Sequence, residues 1–231
     1  MAVIADPSIA NNTARVGMGT GMVWTPFHTV AGPLPVGAGG AFRASATSGT
    51  MAAGLAGASE IFQFRYVTAA SRVALIHGIS ISAGANLAAT AAALVAFKAT
   101  FARGWTVAGS GGTRLTLTGD NAALRTSHAT SEVSDAGICT TAALTAGTKT
   151  LDSQDFGAVA FGIGTGALTT TPNFTLVPKT NLFGDFVGGL AWPIALANQE
   201  GFVIRTGVNA FPATMTWSFS VDVAWSEVDA F

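Results

Sequence analysis

Charge is scarce in this chain. Its 231 residues include 11 basic and 12 acidic side chains, 10% of the total, where globular proteins usually carry about 25%. The two signs nearly cancel, leaving a net charge of −1 and a pI near 6.3. So weak a field gathers no polyanion, which excludes nucleic-acid binding as the main task. Cysteine occurs once, as Cys139. A lone thiol closes no internal disulfide and completes no zinc cluster, so those small-scaffold classes are excluded too. Disorder is also excluded, because 49% of the residues are apolar and a chain of that composition can bury a core.

Unbroken apolar runs are missing, although uncharged runs are not. Residues 73–97 lie between Arg72 and Lys98 and are long enough to span a bilayer, but they contain His77, Gly78, Ser80, Ser82, Gly84, Asn86 and Thr90. In their first half the apolar residues recur every second position, which is the period of a strand. Residues 16–42 and 156–178 are likewise broken by Gly, Thr and Pro, so no membrane partner is expected. The start, Met1 to Pro7, places Asp6 and Pro7 where a signal peptide needs basic and then apolar residues, and no secretory signal is expected.

Signatures of chemistry are equally thin. Gly17-Met18-Gly19-Thr20-Gly21 lacks the Gly-Lys-Ser/Thr ending of a phosphate loop, and no Gly-x-Ser-x-Gly elbow occurs. Cys139 has no histidine nearer in sequence than His128. His128, Glu132 and Asp135 form the only local grouping of metal-ligand types, and they read as solvated loop residues. Asp152 and Asp155 read as turn residues rather than as an acid–base pair. His77 falls on the apolar face of a strand and reads as a satisfied structural histidine. Asn173-Phe174-Thr175 matches a glycosylation acceptor only as a chance triplet. Trp217 and Trp225 read as core, leaving Trp24, Trp105 and Trp192 as candidates for stacking on a sugar. The expectation is a protein without catalytic residues, cofactor or metal.

What the chain does have is period-two alternation. Residues 62–66, 73–82, 92–101, 114–118, 159–163, 174–176 and 201–208 read as strands, with another near Ile138. Residues 121–125 admit a helical turn. The strongest element is Thr214 to Trp225, where Met215, Trp217, Phe219, Val221, Val223 and Trp225 share one face and Thr214, Thr216, Ser218, Ser220, Asp222 and Ala224 the other. A helix would scatter those six apolar residues around its circumference. Some eight strands with turn signals between them predict an all-β fold, an antiparallel jelly-roll-like β-sandwich over 60–231, with a closed barrel as the alternative.

Residues 1–59 hold only Asp6, Arg15 and Arg43 as charges and follow neither period. They are read as an extended Gly/Ala-rich N-terminal arm, with Val23, Trp24, Phe27 and Phe42 as its apolar assembly contacts. Irregular loops folded on the chain's own core are the other reading. A surface of Ser, Thr, Ala and Gly suits burial by sister copies, so a homo-oligomer is expected.

Residues 60–230 resemble tailed-bacteriophage virion proteins of sandwich type, head decoration or cement proteins among them. The likeness rests on the strand Val73 to Ser82, on Gly111-Gly112-Thr113-Arg114-Leu115-Thr116 leading to Gly119-Asp120-Asn121, and on the C-terminal pair from Gln199 to Arg205 and from Pro212 to Glu227. The resemblance implies a structural role in the virion, with the major capsid protein as partner and no enzymatic function. A tail-associated or carbohydrate-binding adhesion module is the alternative.

Overall fold

The computed structural model describes residues 3–5, 13–15, 40–68, 72–86, 89–117, 119, 121–126, 128–133, 135–165, 174–184 and 193–229. The chain divides into two compact units, Met1–Leu34 and Pro35–Phe231. In the first, β1 (Val3–Ala5) pairs antiparallel with β2 (Thr13–Arg15).

The second unit contains β3 (Gly40–Thr47), β4 (Glu60–Tyr66), β5 (Arg72–Ala85), β6 (Ala93–Val107), β7 (Thr113–Arg114) and β8 (Asp135–Ile138). It continues with β9 (Thr148–Ile163), β10 (Phe174–Phe183), β11 (Ile194–Leu196), β12 (Glu200–Thr206) and β13 (Trp217–Asp229). Among the described residues there is no helix, and the strands of both sheets pair antiparallel. One sheet has the order β10-β5-β13-β3, with β11 also on β5; the other runs β7-β8-β4-β12-β6-β9. The protein is an all-β antiparallel sandwich, as the alternation predicts.

The two sheets meet through aromatic rings. Phe64 of β4 packs edge-on against Trp225 of β13 with centroids 5.2 Å apart, and Phe97 of β6 lies 5.6 Å from Trp217. The six alternating apolar residues from Met215 to Trp225 are all at most 2% exposed. Each such side chain contributes about 1.5–3 kcal/mol on leaving water, so this strand alone carries a large share of the core. It is also central in its sheet, pairing with β5 on one side and β3 on the other.

Strand β5 shows why its alternation is only half right. Ala224 faces Gly78 but Trp225 faces Ile76, so His77 is an extra residue, a β-bulge. Before it Ala74 and Ile76 point inward; after it Ile79, Ile81, Ala83 and Ala85 do. The bulge reverses the faces of the strand's first half and turns His77 outward.

Three expectations need correction. Residues 40–59 belong to the sandwich: β3 pairs with β13 over its whole length, from Gly40 opposite Glu227 to Thr47 near Ser220, and Met51 is fully buried. The strand expected at 114–118 is instead only Thr113–Arg114, after Gly111 and Gly112 have taken positive φ, although Leu117 still packs inward. Residues 121–125 form bends around an isolated antiparallel bridge from Ala123 to Phe42 rather than a helical turn.

Candidate functional site

Of the expected assembly residues, Val23, Trp24 and Phe27 lie outside the described residues. Phe42 is described, and it is an internal residue rather than an arm contact. It is 1% exposed and stacked on Trp225 at 5.4 Å, because β3 carries it into the sandwich. Trp192, the Gly17–Gly21 run and Asn173 also lie outside the described residues.

Trp105 is not available to a sugar, being fully buried. Its ring covers the outer face of the six-stranded sheet beside Ala102 and Val203. Gly201 makes room for it, since a Cβ there would fall 3.0 Å from the indole and 2.2 Å from the Phe64 carbonyl oxygen. The indole N–H donates to the Val107 carbonyl at 3.0 Å, and the Lys149 ammonium sits 4.5 Å from the ring centroid. That ammonium is itself buried, pairing with Glu60 at 2.9 Å, while Gln63 donates to the same Glu60 oxygen at 2.6 Å.

The same outer face carries a further ion cluster. Asp155 accepts from Lys98 Nζ at 2.7 Å, Thr100 Oγ1 at 2.6 Å and Arg205 Nη2 at 3.0 Å. Burial opposes its ionisation, but the hydrogen bonds from Lys98, Thr100 and Arg205, with the Arg205 charge, outweigh burial and hold the carboxyl down at about 2. On the opposite face of this sheet Arg103, over the Phe101 ring, bridges Asp152 at 2.9 Å and Glu200 at 2.9 Å. Asp152 and Asp155 therefore sit on strand β9 bound to different cations, not in a turn.

The grouping of His128, Glu132 and Asp135 is likewise divided. His128 Nδ1 accepts from the Ala41 N–H at 3.1 Å, Glu132 pairs with Arg72 at 3.6 Å and Asp135 with Arg114 at 2.9 Å. Among the described residues no three His, Cys, Asp or Glu side chains converge as a metal site. His77 is satisfied, as expected, but outward of the core and by a side chain, Ser226 Oγ at 2.7 Å. Cys139 is buried with its sulfur 3.2 Å from Met51 Sδ, and burial pushes the thiol up to about 12.

Glu227, at the end of β13, has no marker in the sequence. Its carboxylate is fully buried and is met by neutral donors: Ser131 Oγ at 2.6 Å, the Glu132 N–H at 2.9 Å and Trp225 Nε1 at 3.2 Å. These bonds fasten the 131–133 segment to the end of β13. Burial and then the charge of Glu227 push the neighbouring Tyr66 hydroxyl up to about 12.

The outer face of the other sheet is different. It presents Ser45, Thr47, Ser80, Ser82, Ser218 and Ser220 around one acid, Asp222, which accepts from Lys179, Ser45 and Ser80. Open grooves of about 180 Å³, beside Arg43 and Asp222, and about 420 Å³, beside Pro178 and Ser218, cross this face. A lawn of hydroxyls around a paired acid offers hydrogen bonds and a flat contact.

No protein-family model, curated protein or solved structure matches the chain.

Proposed function

We propose that the protein is a structural component of a tailed-phage virion, a head decoration or cement protein that works as a homo-oligomer seated on the major capsid protein. The strand order carries this reading. Counting β3, β4, β5, β6, β9, β10, β12 and β13 as the first to eighth long strands, one sheet runs 1-8-3-6 and the other 2-7-4-5. That alternation supports a jelly roll, two Greek keys wrapped together, an architecture used by capsid and lectin domains. The fold alone assigns no function. The low charge of the chain and the serine-lined outer face add support, since a surface covered by neighbours in an assembly has little need of charge for solubility.

The alternative adhesion module has lost Trp105 as a stacking platform. The test is addition of the purified chain to bare phage heads, with a glycan screen in parallel. Saturable attachment to heads and no glycan hits support the decoration role, whereas glycan binding without attachment favours the adhesion module. Removing residues 1–34, and leaving β3 in place, is expected to weaken attachment if the arm supplies contacts; attachment unchanged by that deletion would confine the contacts to the sandwich.

A further inference from the structure

Strand β9 is the last strand of its sheet, and among the described residues nothing pairs with its far edge. From Gly157 to Ile163 it pairs with β6 without a register shift, Ala99 opposite Gly157 through Ala93 opposite Ile163. This stretch, Gly157-Ala158-Val159-Ala160-Phe161-Gly162-Ile163, has no charge and no proline. The irregularities that blunt β9 are confined to its other half, at Asp155 and before it. Free edges are normally protected by charge, proline or a bulge, and this half has none of the three.

The outer surface beside the edge is also apolar. Leu94 is 62% exposed and Val208 87% exposed. They adjoin through the Asn209 side-chain N–H on the Leu94 carbonyl and the Gly207 N–H on the Ala96 carbonyl. Ala158, Ala160 and Gly162 extend this patch to the edge, and the Lys98–Asp155–Arg205 cluster borders it. On the inner side Val159 and Phe161 are only half-buried, although Phe161 already packs on Phe97 at 5.2 Å. An apolar patch with a polar border and half-covered core residues beside it marks a contact surface.

We propose that this edge is the two-fold contact of a homodimer, β9 pairing antiparallel with β9 of a second copy about an axis at Ala160. The sequence is self-complementary in that register. Ala158 falls opposite Gly162, Val159 opposite Phe161 and Ala160 opposite itself, so the outer face meets small residues with small ones and the inner face joins the two cores. No like charges oppose each other across those seven residues. An isologous contact needs this kind of self-matching, and a one-residue slip would set Val159 and Phe161 on the wrong faces.

The test uses two double variants of the full chain, Ala158→Lys with Gly162→Lys and Ala158→Glu with Gly162→Glu. Both positions are exposed, and a Cβ at Gly162 meets nothing within 4 Å, so each variant is expected to fold. Sedimentation equilibrium of the parent chain is expected to give a dimer or an even multiple. Each double variant opposes like charges twice and is expected to halve that mass. An equimolar mixture opposes Lys to Glu and is expected to restore it, with one copy of each. A monomeric parent, a variant of unchanged mass, or a mixture that fails to reassociate would overturn the proposal. A dimer that does not attach to phage heads leaves it standing and counts only against the virion role.

Discussion

Phe42 and Trp225 stack face to face, centroids 5.4 Å apart and planes 20° from parallel, joining the first and last strands of the sandwich. Truncating such a ring costs about 3–5 kcal/mol. Phe42→Ala is expected to lower the denaturant midpoint accordingly, without a change in m-value. The same contact sets the boundary for truncation. A chain lacking residues 1–34 is expected to keep a cooperative unfolding transition, whereas one lacking 1–50 loses β3 and is expected to unfold or aggregate.

The Lys149–Glu60 pair is buried beneath Trp105, with side chains 2% and 9% exposed. Removing one partner strands the other charge, a cost of about 3–5 kcal/mol, while an apolar pair of similar volume is often neutral. Lys149→Met is expected to destabilise strongly and Lys149→Met with Glu60→Leu to recover most of the loss, as read by urea denaturation.

Asp155 is held at about 2 in the fold, below its ordinary value. Its folded-state pKa is depressed, so the unfolded chain takes up the proton first as pH falls. The stabilisation is full above the unfolded value of about 4 and is lost as pH drops from there through about 2. Melting temperature is expected to fall across that window, and Asp155→Asn to flatten this part of the decline.

Cys139 has its thiol raised to about 12 by burial. Only the thiolate attacks a disulfide reagent, so labelling at neutral pH is expected to be slow in the native state and immediate in denaturant. Fast native labelling would mean that the core opens near Met51.

Strand β13 was legible because its inward residues are all large and the other face is small or polar. Strand β3 was not: inward of Phe42 it has only alanines, Ala44 and Ala46, so apolar contrast fades. The polar half of β9 is hidden in the same way, because Asp155 and Asp152 each satisfy cations, on opposite faces of the sheet, and look like turn residues in sequence. The bulge at His77 is a pairing event that alternation alone does not encode. Phe42 was misplaced with its strand, and Trp105 because the lysine beside it lies 44 positions along the chain.

Quantitative mass spectrometry of gradient-purified phage particles from cells that make this chain tests the virion role most directly. The protein is expected to sediment with the head, at a fixed ratio to the major capsid protein through successive gradients. Recovery only from the particle-free fraction would contradict it.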